Sequence, residues 1–175
     1  MEQMLKKRYK DIFEAIPHID NLLTNVVAEL HIKNSEKTIK SHSYPSPHKY
    51  KDVWQMLIQQ HLDTGRIWPS VSPCMSPAFI IPKVDPTVLP CWVNDYCQLN
   101  ENTIMDSHPL PCIDDILNDH AKGKIWAMID MTNSFFQTRM HPDHIPLTGV
   151  NTPLGLYEWL VMLMGLKNAP AIHQH

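Results

Sequence analysis

Lys124–Met140 reads KIWAMIDMTNSFFQTRM. An almost unbroken apolar run ends on a carboxylate, Asp130, and two aromatics, Phe135 and Phe136, follow closely. The run predicts a strand that ends at Asp130. An acid in that position either caps a turn or stands at the rim of a buried sheet holding something positive. Taken alone, an Asp after an apolar strand is a turn cap more often than a metal ligand, so the choice depends on the rest of the chain.

The chain has 175 residues, the size of one ordinary domain or of a piece of a larger one. With 43% hydrophobic and 19% charged residues, it holds enough apolar matter for a core and too little charge for a wholly disordered chain. Fifteen prolines stand against five glycines, and most of the prolines fall between Pro45 and Pro111, which predicts mainly strands and turns there. The net charge of −3 lacks the usual footprint of a nucleic-acid binder. Nine of the fifteen Lys and Arg residues lie at or before Lys51, so phosphate contacts later in the chain have few candidates. Cys74, Cys91, Cys97 and Cys112 form no C-x-x-C pair and no signal peptide precedes them. Reduced thiols in a cytoplasmic or nuclear protein are expected, rather than a zinc ribbon or a secreted disulfide framework. No apolar run approaches the roughly 20 residues of a membrane span. His173 and His175 suggest either a ligand pair or two solvated residues at a chain end.

Residues 1–40 open with MEQMLKKRYKDIFEAI, in which Met4, Leu5, Tyr9, Ile12, Phe13 and Ile16 can share one helical face. Such a basic helix either touches membrane or nucleic acid or is a solvated domain edge. HIKNSEKTIKSHSYPSPHKY then reads as an extended arm. YKDVWQMLIQQHLDTG places Val53, Trp54, Leu57, Ile58 and Leu62 at helical spacing, with Gly65 set to end the helix. Ala78–Ile81 and Trp92–Val93 flank a turn at Asp85 and Pro86 and predict a hairpin. LPCIDDILNDHAKG predicts a short helix stopped by Gly123. TGVNTPLGLYEWLVMLMGL predicts two strands joined at Pro153 and Gly155, and KNAPAIHQH starts a helix. A chain that stops inside a helix start leaves backbone groups without partners, so truncation is expected.

The blocks GRIWPSVSPCMSPAFIIPK, WVNDYCQLN, HPLPCIDDIL, IDMTNSFFQTRM and GLYEWLVMLMGLKNAP stand in an order and spacing that resembles the reverse transcriptase of gypsy-type long-terminal-repeat retrotransposons, with fungal-like wording. The resemblance runs from about residue 9 to residue 175 and reverses the reading of Asp130 as a turn cap. It implies an α+β chain: a truncated right-hand polymerase fold with residues 1–40 as N-terminal helix and arm, 41–107 as a fingers-like region and 108–175 as a partial palm. It also implies template-directed addition of deoxynucleotides in the full-length Pol polyprotein, by phosphoryl transfer assisted by two Mg²⁺ ions. In that family Asp130 matches the catalytic aspartate that ligates both ions, and the carbonyl of Met131 adds a ligand. Phe135 matches an aromatic gate beneath the incoming sugar, which would exclude a ribose 2′-hydroxyl, and Phe136 is expected to be a core aromatic. Lys83 matches a basic residue that reaches the triphosphate. Met164, Gly165 and Lys167 fall where the family contacts nucleotide and template. The implied partners are an RNA or DNA template-primer, deoxynucleotides and the remaining palm, thumb and RNase H regions, with no membrane.

A two-metal site needs further carboxylates, which the family supplies as a Tyr-x-Asp-Asp turn beyond the Asn-Ala-Pro block; no Asp-Asp pair follows Asp130 here. The chain alone is therefore expected to be inactive. The departures from the family are of one kind. Cys91, Cys97, Cys112 and Trp68 stand where Arg is usual, and Leu163 where Pro is usual. Each is one C-to-T change away, the mark of an element decaying by cytosine deamination. A thiol at position 91 cannot supply the bidentate grip of Arg on a triphosphate. Two readings follow: a fragment of an RNA-directed DNA polymerase domain, or a non-catalytic remnant with at most weak nucleic-acid or protein binding. A third, an unrelated Cys/His metal module, is opposed by the irregular cysteine spacing. Apolar faces such as YEWLVMLM are expected to lack cover, with poor solubility as the result.

Overall fold

The computed structural model describes residues 4, 7–9, 18–22, 25–40, 42, 44–85, 87–109, 111–128, 131 and 133–174. The elements are β1 (Val27–Ala28), α1 (Lys51–Asp63), β2 (Ile67–Pro69), β3 (Ser76–Ile81), β4 (Cys91–Asn94), α2 (Cys97–Asn102), α3 (Ile113–Ala121), β5 (Arg139–Met140), β6 (Val150–Thr152), β7 (Gly155–Trp159) and α4 (Ala169–Gln174). Tight 3-10 turns lie at Ser134–Gln137 and Pro142–Thr148, among others. The α+β class expected from the sequence is observed.

α1 forms where the apolar spacing predicts it, and Trp54, Leu57, Ile58 and His61 are its buried residues. Fully burying Trp54, Leu57 and Ile58 contributes roughly 1.5–3 kcal/mol each. The helix stops because Gly65 takes φ 69°, a left-handed conformation that costs glycine little. A Cβ there would also lie 2.5 Å from His18 Nε2.

Five strands make one sheet in the order β2-β7-β6-β3-β4. β3 and β4 form the expected hairpin, with Ile81 opposite Cys91 and Ala78 opposite Asn94. β6 and β7 form the second hairpin, and β3 joins β6 in parallel. The sheet therefore draws strands from both sides of residue 107, and the two regions share one core. At its centre Trp54, Trp92 and Trp159 meet edge to face, each successive pair with ring centres 5.1 Å apart. His61 stands 4.8 Å from Trp159, and Phe136 stacks on Trp159 at 5.6 Å.

Two sequence expectations fail here. Lys124–Met128 is not a strand; Ile125 and Met128 are 91% and 96% exposed. No strand among the described residues pairs with this run. α3 likewise buries none of its residues. Conversely, the apolar face of YEWLVMLM is covered: Trp159, Val161 and Met162 are at most 1% exposed, because α1 and the Phe136 ring lie over β7 and the run behind it enters the core. Of the expected N-terminal helix, Met4 and Tyr9 are exposed, and Leu5, Ile12, Phe13 and Ile16 lie outside the described residues. α2, in the proline-rich middle, was not foreseen.

Candidate functional site

Asp130 lies outside the described residues, so the site is built from its neighbours. Asn133 takes φ 52°, a left-handed conformation that a short polar side chain tolerates, and this bend starts the turn Ser134–Gln137. The turn separates the two phenylalanines. Phe136 points into the core, where the Arg66 guanidinium lies over its ring at 5.1 Å. Phe135 is half-buried with its ring 5.4 Å from that of His173 on α4. Met131 is 56% exposed.

Met164, Gly165 and Lys167 form a tight turn before α4. Gly165 has φ 93° and passes beside the end of β4, where an added Cβ would lie 3.8 Å from Asn94 O. Two amides missed in the sequence hold this turn. Asn100 Nδ2 donates to Gly165 O at 2.7 Å, and Lys167 N donates to Asn100 Oδ1 at 2.8 Å. Asn168 accepts from Asp106 N at 3.1 Å and donates to Ile104 O at 2.8 Å. Lys167 Nζ bends back to Thr103 O at 3.2 Å, across the end of α2. Met164 is 73% exposed at the tip. An Asn is an ordinary surface residue in a sequence, and nothing marks these two as staples until the segments they join are placed.

Lys83 is exposed just beyond β3, at the tip of the β3–β4 hairpin. Cys91 is exposed at the same end, since it pairs with Ile81. Gly165 lies at the other end, beside Asn94. At 3.3 Å per residue the Lys83 end stands roughly 15 Å along the strand from the glycine turn. The structure thus brings Lys83 and Cys91 together, and Met164, Gly165 and Lys167 together, as two separate groups.

Just past the Asn94 end of β4, Asp95 accepts from Cys97 N at 3.0 Å and from the Tyr44 hydroxyl at 2.9 Å. Hydrogen bonds from the Cys97 thiol and backbone, and then from Tyr44, hold its carboxyl below the usual range. The same carboxylate raises the Cys97 thiol, which keeps it protonated and a poor metal ligand. All four cysteines are free.

No three His, Cys, Asp or Glu side chains among the described residues gather where they could hold a metal ion. The carboxylates that follow Asp130 in sequence are Asp143 and Glu158. Asp143 is exposed beside His141, and Glu158 is bound to Trp68 Nε1 and Ser70 Oγ, each at 2.6 Å. Glu158 is thus held by two donors while Asp143 stands on an exposed turn, and no group of carboxylates among the described residues gathers to fit a two-metal site. No helix among the described residues is long and apolar enough to cross a membrane.

Comparison with known proteins accounts for this arrangement. No family model matches the chain. Across 98% of its length the chain superposes on the prototype foamy virus protease-reverse transcriptase, with a TM-score of 0.77 and 20% identity, covering 23% of that chain. The foamy viral enzyme in complex with an RNA/DNA hybrid matches with a TM-score of 0.74 and 17% identity, again over 98% of this chain and 23% of the other. The fold is that of reverse transcriptases. In sequence the chain is 38% identical over 154 residues to the retrovirus-related Pol polyprotein from transposon opus of Drosophila melanogaster, covering 86% of this chain and 15% of that protein. The chain belongs to the retrovirus-related Pol polyproteins and corresponds to their reverse-transcriptase region. It spans about a seventh of the length of this curated relative.

Proposed function

We propose that this chain is the fingers-like region and first part of the palm of an RNA-directed DNA polymerase, and that nucleotidyl transfer belongs to the longer Pol polyprotein. The observation that carries this reading is the single sheet that holds the Lys83 hairpin tip and the Gly165 turn at opposite ends of one strand pair, in a chain homologous to Pol polyproteins. Residues 1–40 serve as the N-terminal arm, 41–107 as fingers and 108–175 as partial palm. The motif wording supports a gypsy-type, fungal-like element, and a cytoplasmic or nuclear site of action is part of the same reading.

In this reading Phe135 limits the space beneath the sugar, Lys83 meets the triphosphate, and Met131, Met164, Gly165 and Lys167 border nucleotide and template. A template-primer is the expected nucleic-acid partner; the foamy viral relative is described in complex with an RNA/DNA hybrid. Asp130 would ligate Mg²⁺, which when bound lowers the barrier to attack by a primer hydroxyl. Glu158 is held by Trp68 and Ser70 and no ligand cluster gathers among the described residues, so nucleotidyl transfer is assigned to the longer polyprotein. The exposed Cys91 at the hairpin tip favours a second reading, a non-catalytic remnant, because a thiol there cannot hold a triphosphate as Arg does.

Primer extension on an RNA template with Mg²⁺ and deoxynucleotides tests this. The 175-residue chain and its Asp130→Asn variant are both expected to be silent, while a chain extended through the Tyr-x-Asp-Asp turn extends primers and loses that activity with Asp130→Asn. Extension by the 175-residue chain that disappears with Asp130→Asn would overturn the division of labour. Silence of the extended chain would favour the remnant.

A further inference from the structure

Residues 25–40 cross the body of the protein as a strap. β1 pairs in parallel with β5, Val27 opposite Arg139 and Ala28 opposite Met140. Ala28 and Leu30 are buried at 1% and 2% exposure. His141 N donates to Ala28 O at 2.9 Å, Ile104 N to His31 O at 2.7 Å, Lys33 N to Asn102 O at 2.8 Å, and Met75 N to Ile39 O at 2.8 Å. Between the strap and the body lies a cleft of about 680 Å³, bordered by Leu30, Ile32, Thr38, Cys74 and Leu147 among others. The strap is therefore held by discrete backbone bonds along its length, with Ala28, Leu30 and Ile39 packed inward and the cleft open beside them.

One of those bonds has a titratable acceptor. Leu30 N–H donates to His144 Nδ1 at 3.2 Å, which requires that nitrogen to carry no proton. Two further imidazoles face His144, with ring centres 5.1 Å away for His141 and 6.4 Å for His31. The charged groups around it are Glu29 from the strap, 3.7 Å from His31 Nε2, and Asp143 from its own turn, 3.8 Å from His141 Nδ1.

We propose that His144 is a proton-operated latch: the neutral imidazole docks the strap on β5, and protonation at Nδ1 releases the segment around Leu30, opening the cleft and baring the edge of β5. Protonation replaces an acceptor by a donor facing the Leu30 N–H and adds a cation to a group of three imidazoles. Burial, and then His141, lower the His144 pKa, with His31 adding to the effect and Glu29 and Asp143 opposing it. The sign follows by linkage. The docked form binds the proton more weakly than the released form, so docking is complete above the ordinary histidine value of about 6.5 and is lost as the pH falls below it.

Amide hydrogen exchange on the 175-residue chain at about pH 7.5 and about pH 5, corrected for the intrinsic rate at each pH, tests the latch. Between the two pH values the Leu30 and His141 amides are expected to lose roughly tenfold or more of protection in the wild type beyond what they lose in His144→Asn, while Trp159 and Met162 in the core change equally in both. His144→Asn supplies an amide oxygen that accepts the same bond and does not titrate, so it keeps the strap protected at both values. Equal acid loss in His144→Asn, or none in the wild type, overturns the proposal. NMR titration of the His144 ring gives a reading independent of any variant: release must follow its midpoint, and release at a different pH also overturns the latch.

Discussion

Trp68 and Glu158 stand directly opposite each other on β2 and β7, and the indole Nε1–H donates to Oε2 at 2.6 Å. Ser70 Oγ donates to the other oxygen at 2.6 Å, so the buried carboxylate is satisfied at both. Glu158→Ala leaves two donors without an acceptor and is expected to cost about 2–3 kcal/mol in urea unfolding. Trp68→Arg puts a charged donor in the same place and is expected to leave stability within about 1 kcal/mol of the wild type. A loss as large as that of Glu158→Ala would mean that the indole acts through packing instead.

His61 is buried with Nδ1 lacking a hydrogen-bond partner, and burial followed by the nearby Arg66 lowers its pKa to about 4. The unfolded chain binds the proton more readily, so stability falls as the pH drops from about 6.5 towards 4, by on the order of 3 kcal/mol. His61→Leu removes that component and the unpaired nitrogen together. Thermal melts across the range are expected to show a shallower acid slope for the variant, with little change at neutral pH; an unchanged slope contradicts this account.

Asn100 bridges Gly165 O and Lys167 N, two backbone groups that no regular element satisfies. Asn100→Ala is expected to cost about 1–3 kcal/mol and to loosen the turn. Gly165→Ala adds strain of roughly 1 kcal/mol or more, because φ 93° is a glycine conformation. Faster amide exchange at Lys167 in both variants, with α1 unaffected, is the expected signature.

Cys91 and Lys83 share the hairpin tip, and Cys91 is exposed. Cys91→Arg places a second cation beside Lys83 and is expected to tighten triphosphate binding about tenfold or more, in a chain extended through the Tyr-x-Asp-Asp turn. Calorimetric titration with a deoxynucleoside triphosphate checks this, and affinity equal to the Cys form would remove the hairpin tip from the proposed site.

Ile125 and Met128 are almost fully exposed, next to an α3 whose Ile113 and Leu117 are 73% and 60% exposed. Exposed large apolar side chains in one stretch of the chain favour self-association. The double variant Ile125→Lys and Met128→Lys is expected to reduce aggregation in light scattering without lowering the melting temperature, since neither side chain contributes to the core.

α1, the β3–β4 hairpin, the β6–β7 hairpin and the Gly65 stop were legible in the sequence because each depends on residues near one another in the chain. Periodicity, proline and glycine record such local preferences directly. The same local apolar signal over Lys124–Met128 misled, because a strand exists only with a partner and none of the described strands supplies one. Asn100 and Asn168 act on segments 62–67 residues away, and His144 on one 114 residues away. No spacing rule reports contacts of that range. The sequence by itself determined the local elements and, through five blocks in register, the family. Only the tertiary structure decided which apolar runs are covered and which amides and imidazoles hold the chain together. Those outcomes depend on hydrogen bonds and burial between segments that meet only once the sheet has formed.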